Sequence, residues 1–566
     1  MSTDHQLYLA LGGVVAALLA AIWLTGALAG LLFGAGWTTV GLSDLATAAL
    51  RLPSNLGNPR EAWPAEARAA LPGAFGFYAS AGLIGGASAG LVRVARGAPL
   101  LEELRRIGRA RTRVPTARWA TSRDIAPLRV SEPEPGRLTV GRFEDSLIAA
   151  EERQSVIFFA PTGTHKTSGL TIPILLEWEG PVLATSVKGD LLSATIERRE
   201  RLGEVMTFDP SGVSGLETTQ KATPLWGAKD WRGAMRVAHW LCGAAQSSKG
   251  GLQNADFWFA TAEKLLAPML FAAARSRRTM ADVVRWLDEG PKANAAEVAK
   301  ALRDAGEPAA ERAWQATRNR EEKQRSSVYT TAETIVSALA DQRVQRQTES
   351  ADYTPARLLD GGKNTLYLCA PLHEQERLQP LFSMLVQELL AHAYEKAATE
   401  GPLDPPLLLL LDEAANIAPI PDLDAIASTA AGQGIQLVSI FHDMAQLKRV
   451  YGGRAATAVN NHRAKLIGNG MADPETVTFV SQLTGAAKFE QRSRNTGEQG
   501  RHSHTEGETF RDLAPANVVR EQDPGSALLL YHNLPAAKID LRLWFEDAKL
   551  MELQANSGNT EIAGVQ

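Results

Sequence analysis

Two stretches near the amino end carry no charged side chain: residues 7–36 (LYLALGGVVAALLAAIWLTGALAGLLFGAG) and 73–92 (GAFGFYASAGLIGGASAGLV). A bilayer core is crossed by about 20 apolar residues wound as a helix, so each run predicts a transmembrane helix. A cleaved leader needs a basic start and a shorter apolar core. The opening MSTDHQ has neither Lys nor Arg, and the run that follows is too long. Both runs also repeat glycine at every fourth position, at Gly26, Gly30, Gly34 and at Gly82, Gly86, Gly90. Such stripes let helices approach closely and point to helix–helix association.

Beyond residue 92 the pattern changes twice. Residues 93–135 are rich in Arg and Pro and read as a basic connector. From about 140, short uninterrupted apolar runs alternate with longer helical stretches, the signature of a parallel α/β sheet covered on both faces. The predicted strands are 155–160, 182–185, 205–208, 365–369, 407–411, 436–440 and 527–531. Between 226 and about 353 the chain is rich in Ala, Arg, Glu and Gln, with a long 3.6-residue period and no strand pattern. This predicts an all-α domain inserted between two halves of the α/β domain. Polar residues 485–510 predict a mobile loop. The division is therefore 1–92 membrane region, 93–135 connector, 136–226 with 354–548 α/β domain, 227–353 helical insert and 549–566 tail.

Charge orients the predicted spans. Arg93, Arg96, Arg105, Arg106, Arg109, Arg111, Arg113 and Arg118 follow the second run, whereas the 37–72 loop holds only Arg51, Arg60 and Arg68. The positive-inside rule then puts both termini in the cytoplasm. Over all 566 residues, 59 basic and 63 acidic side chains give a net charge of −4, which excludes a globally basic nucleic-acid binder but not local basic patches. Two cysteines, Cys242 and Cys369, exclude a disulfide-rich scaffold and a four-cysteine zinc site.

Candidate chemistry lies at two strand ends. APTGTHKT (160–167) follows SVIFFA and precedes a helical pattern, close to the phosphate-loop pattern G-x-x-x-x-G-K-[ST]. Such a loop surrounds phosphates with backbone N–H groups and a helix N-terminus. Thr162, Gly163, Thr164, His165, Lys166, Thr167 and Ser168 are the expected nucleotide-binding residues, with Lys166 reaching the β and γ phosphates and Thr167 ligating Mg²⁺. Ala160 and His165 stand where the pattern has glycine. The second strand end is LLLLLDEA (407–414). Asp412 is expected on Mg²⁺, and Glu413 is expected to activate water.

With these residues in order, the chain resembles the TraG/TraD-type coupling proteins of type IV secretion, the membrane ATPases of conjugation systems. ARWA (117–120), SVKGD (186–190), FDPSG (208–212), TPLW (223–226) and DFW (256–258) fall in the family's sequence of elements. So do TLYLCAPLHEQERLQPL (365–381), LLLLLDEAANI, HDMAQLKRVYG (442–452), TFRDLAPANVV and ALLLYHNLPAAKIDLRLWF. Gln446 matches the second glutamine of the family's sensor element, which the resemblance makes a nucleotide-binding residue, and His442 stands where a glutamine is usual. The resemblance implies a RecA-like P-loop NTPase domain with an inserted all-α domain, preceded by two transmembrane helices. It further implies a homohexameric ring on the bacterial inner membrane, with ATP and Mg²⁺ at subunit interfaces. Expected partners are the lipid bilayer, type IV secretion channel proteins, and a relaxase with single-stranded DNA or protein effectors. A neighbouring subunit would supply a catalytic arginine, for which Arg377 is the first candidate and Arg463 the second.

Two other readings remain beside an ATPase delivering DNA–relaxase or protein cargo to a secretion channel. One is a non-hydrolysing nucleotide-binding receptor, motivated by His165 and His442. The other is an FtsK-type DNA translocase, which the helical insert argues against, as does the lack of a DNA-reading module after Phe545. Lys188 and Asp190 face the nucleotide or the next subunit, or else flank a turn at Gly189. Asp209 is either a site residue or part of an Asp-Pro-Ser-Gly turn. The RNREEKQR stretch (318–325) reads as a solvated helix face. His502 and His504 lack a third ligand nearby, so no structural metal site is expected there.

Overall fold

A computed structural model describes residues 3–37, 39–96, 116–216, 219–248, 255–496 and 502–555. The chain divides into two compact units, Met1–Pro115 and Thr116–Gln566. In the first, both uncharged runs are helical, at Thr3–Phe33 and Ala74–Arg96. Their described apolar stretches are Leu18–Phe33 and Ala74–Ala87. Trp63, Leu71, Phe77, Ala29, Leu45 and Ala48 form this unit's core. The glycine stripes are used differently from the expectation. A Cβ at Gly26 would fall 2.2 Å from the Trp63 ring, and one at Gly34 would fall 2.1 Å from the Ala70 carbonyl. These glycines admit the segment between the two long helices, whereas Gly82 and Gly86 face open space within the chain. Gly90 and residues 97–115, which hold most of the expected arginine collar, lie outside the described side chains or residues.

The second unit is built on strands β1 (Thr139–Phe143), β2 (Ser146–Ala149), β3 (Val156–Phe159), β4 (Val182–Ser186), β5 (Val205–Phe208), β6 (Thr365–Cys369), β7 (Leu407–Leu411), β8 (Ile435–Phe441), β9 (Ala464–Gly468), β12 (Ser526–Tyr531) and β13 (Ala537–Asp540). They form one sheet in the order β2-β1-β13-β12-β9-β3-β8-β7-β4-β6-β5. Seven neighbours from β9 to β5 are parallel; the apolar runs predicted six of them, β3 to β8, and β9 is a strand the sequence pattern did not give. The remaining four are antiparallel additions, which corrects the reading of 527–531 as a parallel strand. β1–β2 and β12–β13 are joined by connections too short for a crossover, so each pair must reverse direction.

Successive residues along each strand serve opposite cores. Ile157, Phe159, Leu407, Leu409 and Leu411 point to one side, and Val156, Phe158, Leu408 and Leu410 to the other. The first side is covered by the helices between β5 and β6, among them Trp231–Ser248, Ala255–Arg275, Met280–Asp288, Pro308–Arg318 and Glu322–Ile335. Among the described residues this stretch has no strand. Its buried Leu265, Trp286 and Trp314 share one continuous core with the sheet face. Asp256–Arg275 is the one described helix long and apolar enough by composition to cross a membrane, yet 67% of it is buried inside the protein, so it is a core helix.

Four sequence expectations change here. The expected loop at 485–510 is a two-stranded ribbon, β10 (Ala486–Thr496) paired with β11 (His502–Asp512). Its polar residues carry no apolar period, so only the cross-strand hydrogen bonds define it. Residues 116–135 of the expected connector fold into the second unit, with Ile125 and Leu128 buried. The expected tail begins as a helix, Ala548–Ala555, which seats Leu550 in the core; residues 556–566 lie outside the described part. In the expected solvated face at 318–325, Arg325 is half-buried and donates to the carbonyls of Arg318 (2.7 Å) and Arg320 (3.2 Å). It therefore closes a helix end.

Candidate nucleotide site

The loop after β3 is set beside the end of β8, because the Ala160 N–H donates to the Phe441 carbonyl at 2.9 Å. Thr164 Oγ1 donates to the Pro161 carbonyl (2.7 Å) and tightens the turn. Gly163 takes φ +84 with nothing within 4 Å of a would-be Cβ, so the loop is open on that side. His165, in the glycine position, takes φ +58, and its Nδ1 lies 3.2 Å from Ser168 Oγ. The left-handed backbone that the pattern's glycine would supply is thus kept, at a strain of roughly 1–2 kcal/mol for a side-chain residue. After Lys166 the first turn, Thr167–Thr171, is wound as a π-helix. Pro173 brings no N–H with which to tighten it. The Trp544 N–H donates to the Ser168 carbonyl (3.1 Å), tying this turn to the segment after β13.

The acid pair arrives from β7, which is separated from β3 by β8 alone. Thr185 Oγ1, at the end of β4, donates to the Asp412 carbonyl at 2.6 Å. Asp412 is buried. Its Oδ2 accepts from Thr167 Oγ1 at 3.2 Å, while Oδ1 has no protein partner. Burial pushes the Asp412 carboxyl up to about 6; Lys166 opposes that rise and Glu413 adds to it. A buried carboxylate with one free oxygen beside a threonine hydroxyl fits a hard divalent cation bound with the phosphates.

Glu413 takes φ +56. Its Oε1 pairs with Lys166 Nζ, and its Oε2 lies 3.1 Å from His442 Nε2 and accepts from Asn416 Nδ2 at 3.1 Å. Burial works against the charged form, but the His442 hydrogen bond and the Lys166 charge outweigh it and hold Glu413 at about 2. The same contact raises His442 above its usual value, against its own burial. Gln446 is buried; its Oε1 accepts from the His442 N–H at 2.7 Å and its Nε2 reaches Asn416 Oδ1 at 3.4 Å.

The other sequence candidates separate. Arg377 pairs within its own chain with Glu374 (2.5 Å) and Asp341 (3.1 Å), and is about one-third exposed. Arg463 precedes β9 at the opposite end of β3 from the phosphate loop and pairs with Glu151 at 2.6 Å. Gly189 takes φ +70 and begins the helix Asp190–Leu202, leaving Lys188 and Asp190 exposed around a turn, though the Asp190 charge still reaches Asp412 and adds to its raised pKa. Asp209 builds its turn, accepting from the backbone of Ser211 (3.2 Å), Gly212 (2.8 Å) and Ser214 (2.6 Å). The side chains of His502 and His504 lie outside those described. Sequence reasoning missed Asn416 and Thr185. Asn416 follows Glu413 by three residues, a spacing that brings side chains together across one turn, and was the available signal.

A parallel sheet with a phosphate loop after one strand and an acid pair two strands away defines a P-loop NTPase fold. Residues 115–563 match the family described as type IV secretory system conjugative DNA transfer, and the chain belongs to that family. The resemblance to coupling proteins is thereby borne out. Among its relatives, the conjugal transfer protein TraG of Agrobacterium fabrum is 24% identical over 410 residues, covering 69% of this chain and 60% of that protein. VirD4 of Rhizobium radiobacter is 22% identical over 456 residues, covering 77% of this chain and 65% of that protein. The chain thus spans under two-thirds of the length of these relatives. Among solved structures, the bacterial conjugative coupling protein TrwBdeltaN70 in its unbound form superposes with a TM-score of 0.57 at 18% identity, covering 76% of this chain and 92% of that one. The plasmid coupling protein TrwB in complex with ADP and Mg²⁺ gives a TM-score of 0.57 at 17% identity, covering 76% and 94%.

Proposed function

We propose that this protein is an inner-membrane ATPase that receives DNA–relaxase or protein cargo and delivers it to a type IV secretion channel, working as a homohexameric ring. The observation that carries the reading is the meeting of Lys166 and Thr167 with Glu413 and Asp412 in one buried cluster. Thr162, Gly163, Thr164, His165 and Ser168 form the wall of the phosphate site, and Lys166 bridges the β and γ phosphates. Thr167 and Asp412 would hold Mg²⁺, which when bound neutralises phosphate charge. Glu413 orients water, and Arg377 of an adjacent subunit meets the charge that develops in phosphoryl transfer. The two uncharged helices span the membrane with both termini cytoplasmic, and the helices between β5 and β6 act as a cargo-facing insert. Family membership and the TraG and VirD4 relatives support the cargo and channel partners.

The test is ATP turnover by the full chain against Lys166→Ala and Glu413→Gln. Equal turnover in all three removes the catalytic assignment. A non-hydrolysing nucleotide receptor is the second reading, favoured by the engagement of both Glu413 oxygens. Nucleotide binding without turnover, with DNA and partner proteins present, would select it.

A further inference from the structure

Glu413 is held at both oxygens, and the two holds differ in kind. Lys166 takes Oε1, and it is the group that phosphates would attract away. Oε2 receives His442 Nε2 and Asn416 Nδ2, each at 3.1 Å. Both are braced from behind by Gln446, whose Oε1 accepts from the His442 N–H and whose Nε2 reaches Asn416 Oδ1. Gln446 is fixed in turn because its own N–H donates to Asp443 Oδ1 (2.7 Å), the cap of helix Met444–Tyr451. Glu413, Asn416, Gln446 and His442 therefore close a hydrogen-bonded ring, one link of which is the His442 backbone N–H, that joins the ends of β7 and β8. The ring matters because Glu413 sits at φ +56, where the backbone alone favours no L residue.

We propose that His442 and Asn416 are positioning residues that fix Glu413 through Oε2, leaving Oε1 as the oxygen that takes a proton from the attacking water. This rests on the ATPase reading above. In that step the water oxygen bonds to the γ-phosphorus, the bond to the bridging oxygen breaks with ADP leaving, and the water proton passes to Oε1. Freed of Lys166, Oε1 faces the phosphate loop while Oε2 stays anchored. The charged groups facing His442 are Glu413 at the end of β7, which raises its pKa, and Lys166 on the loop, which lowers it; a backbone hydrogen bond with Ala160 also raises it. An imidazole donates from Nε2 whether protonated or in the matching neutral tautomer. A glutamine at 442 would donate similarly without titrating.

The experiment measures kcat, KM, ADP affinity and pH profile for the full chain in detergent, as wild type, His442→Ala, His442→Gln and Asn416→Ala. Both alanine variants are expected to lose about 100-fold in kcat, the order of a general-base contribution, with ADP affinity retained. His442→Gln is expected to recover most of the rate. Alanine variants with wild-type kcat overturn the proposal, as does a loss of ADP affinity parallel to the loss of rate, which marks a merely structural role. If the wild type binds ADP but turns over no ATP, the ATPase reading itself falls, and this assignment with it. Wild-type turnover that all three variants retain overturns only the positioning of Glu413.

Discussion

Lys166 and Glu413 are 247 residues apart in the chain, yet they form an ion pair with only 14% and 10% of their side chains exposed. Each is the other's counter-ion, so the two truncations should differ in kind. Lys166→Ala removes a phosphate contact and should weaken nucleotide binding as well as turnover. Glu413→Gln keeps the shape of the side chain and should retain binding while lowering kcat by about 10²–10⁴-fold. Equilibrium binding of a fluorescent ATP analogue beside steady-state turnover separates the two effects.

Asp412 gives a stability signature with a definite sign. Its folded carboxyl titrates at about 6, against an ordinary value of 3.8. Between those values the folded state binds a proton that the unfolded state lacks. Stability is therefore full below the lower value and falls as pH rises through the window. The gap corresponds to on the order of 3 kcal/mol. Asp412→Asn should raise the melting temperature of the nucleotide-free protein near about pH 7.5, with the gain shrinking toward about pH 4. With Mg²⁺ and nucleotide present, the wild type should gain more than the variant. Thermal melts at both pH values, with and without ligand, check the order.

His165 is a side-chain residue at φ +58. Replacement by glycine relieves roughly 1–2 kcal/mol of backbone strain and removes only the Ser168 contact, so binding should survive. A β-branched valine tolerates this region worst and should abolish binding. Loss of nucleotide binding in His165→Gly would show that the imidazole itself is needed.

Arg199 is fully buried and meets four oxygens: the carbonyls of Trp178, Gly180 (2.7 Å) and Lys363 (3.0 Å), and Thr365 Oγ1 (2.7 Å). Burial lowers the guanidinium to about 10, which leaves it charged at neutral pH. Arg199→Leu would strand those acceptors and should cost about 3–5 kcal/mol, read as a fall in the denaturant midpoint.

Arg377 tests the ring. If it acts on a neighbour's nucleotide, Arg377→Ala and Lys166→Ala chains are each inactive alone, but mixed rings regain turnover at interfaces that pair an intact loop with an intact arginine. No recovery on mixing would exclude action across the interface.

Much of this protein is local enough to read from residue order. The seven predicted strands all form, because each is an apolar run whose alternate residues feed the two cores on either side of the sheet. The phosphate loop and the acid pair were legible for a similar reason. A strand, a tight loop and a helix start are neighbours in sequence, and LLLLLDEA marks a buried strand that ends in charge. The missed strands β1, β2, β9 and β13 are short, and only β13 alternates buried with exposed positions, so no long apolar run announces them. In the ribbon strands Ala486–Thr496 and His502–Asp512, the polar composition hides a pairing that only backbone hydrogen bonds define.

The sequence by itself determined the seven apolar strands, their order and the chemical identity of the phosphate-loop and acid-pair residues, since these follow from periodicity and short-range backbone preference. Only the tertiary structure decided that β8 lies between β3 and β7, that four strands extend the sheet in the antiparallel sense, and that the helices between β5 and β6 share their core with the sheet. It also decided that Glu413 turns at φ +56 to meet Lys166, His442 and Asn416. These relations join residues separated by up to hundreds of positions, and they arise from strand pairing and burial, which no local pattern along the chain encodes.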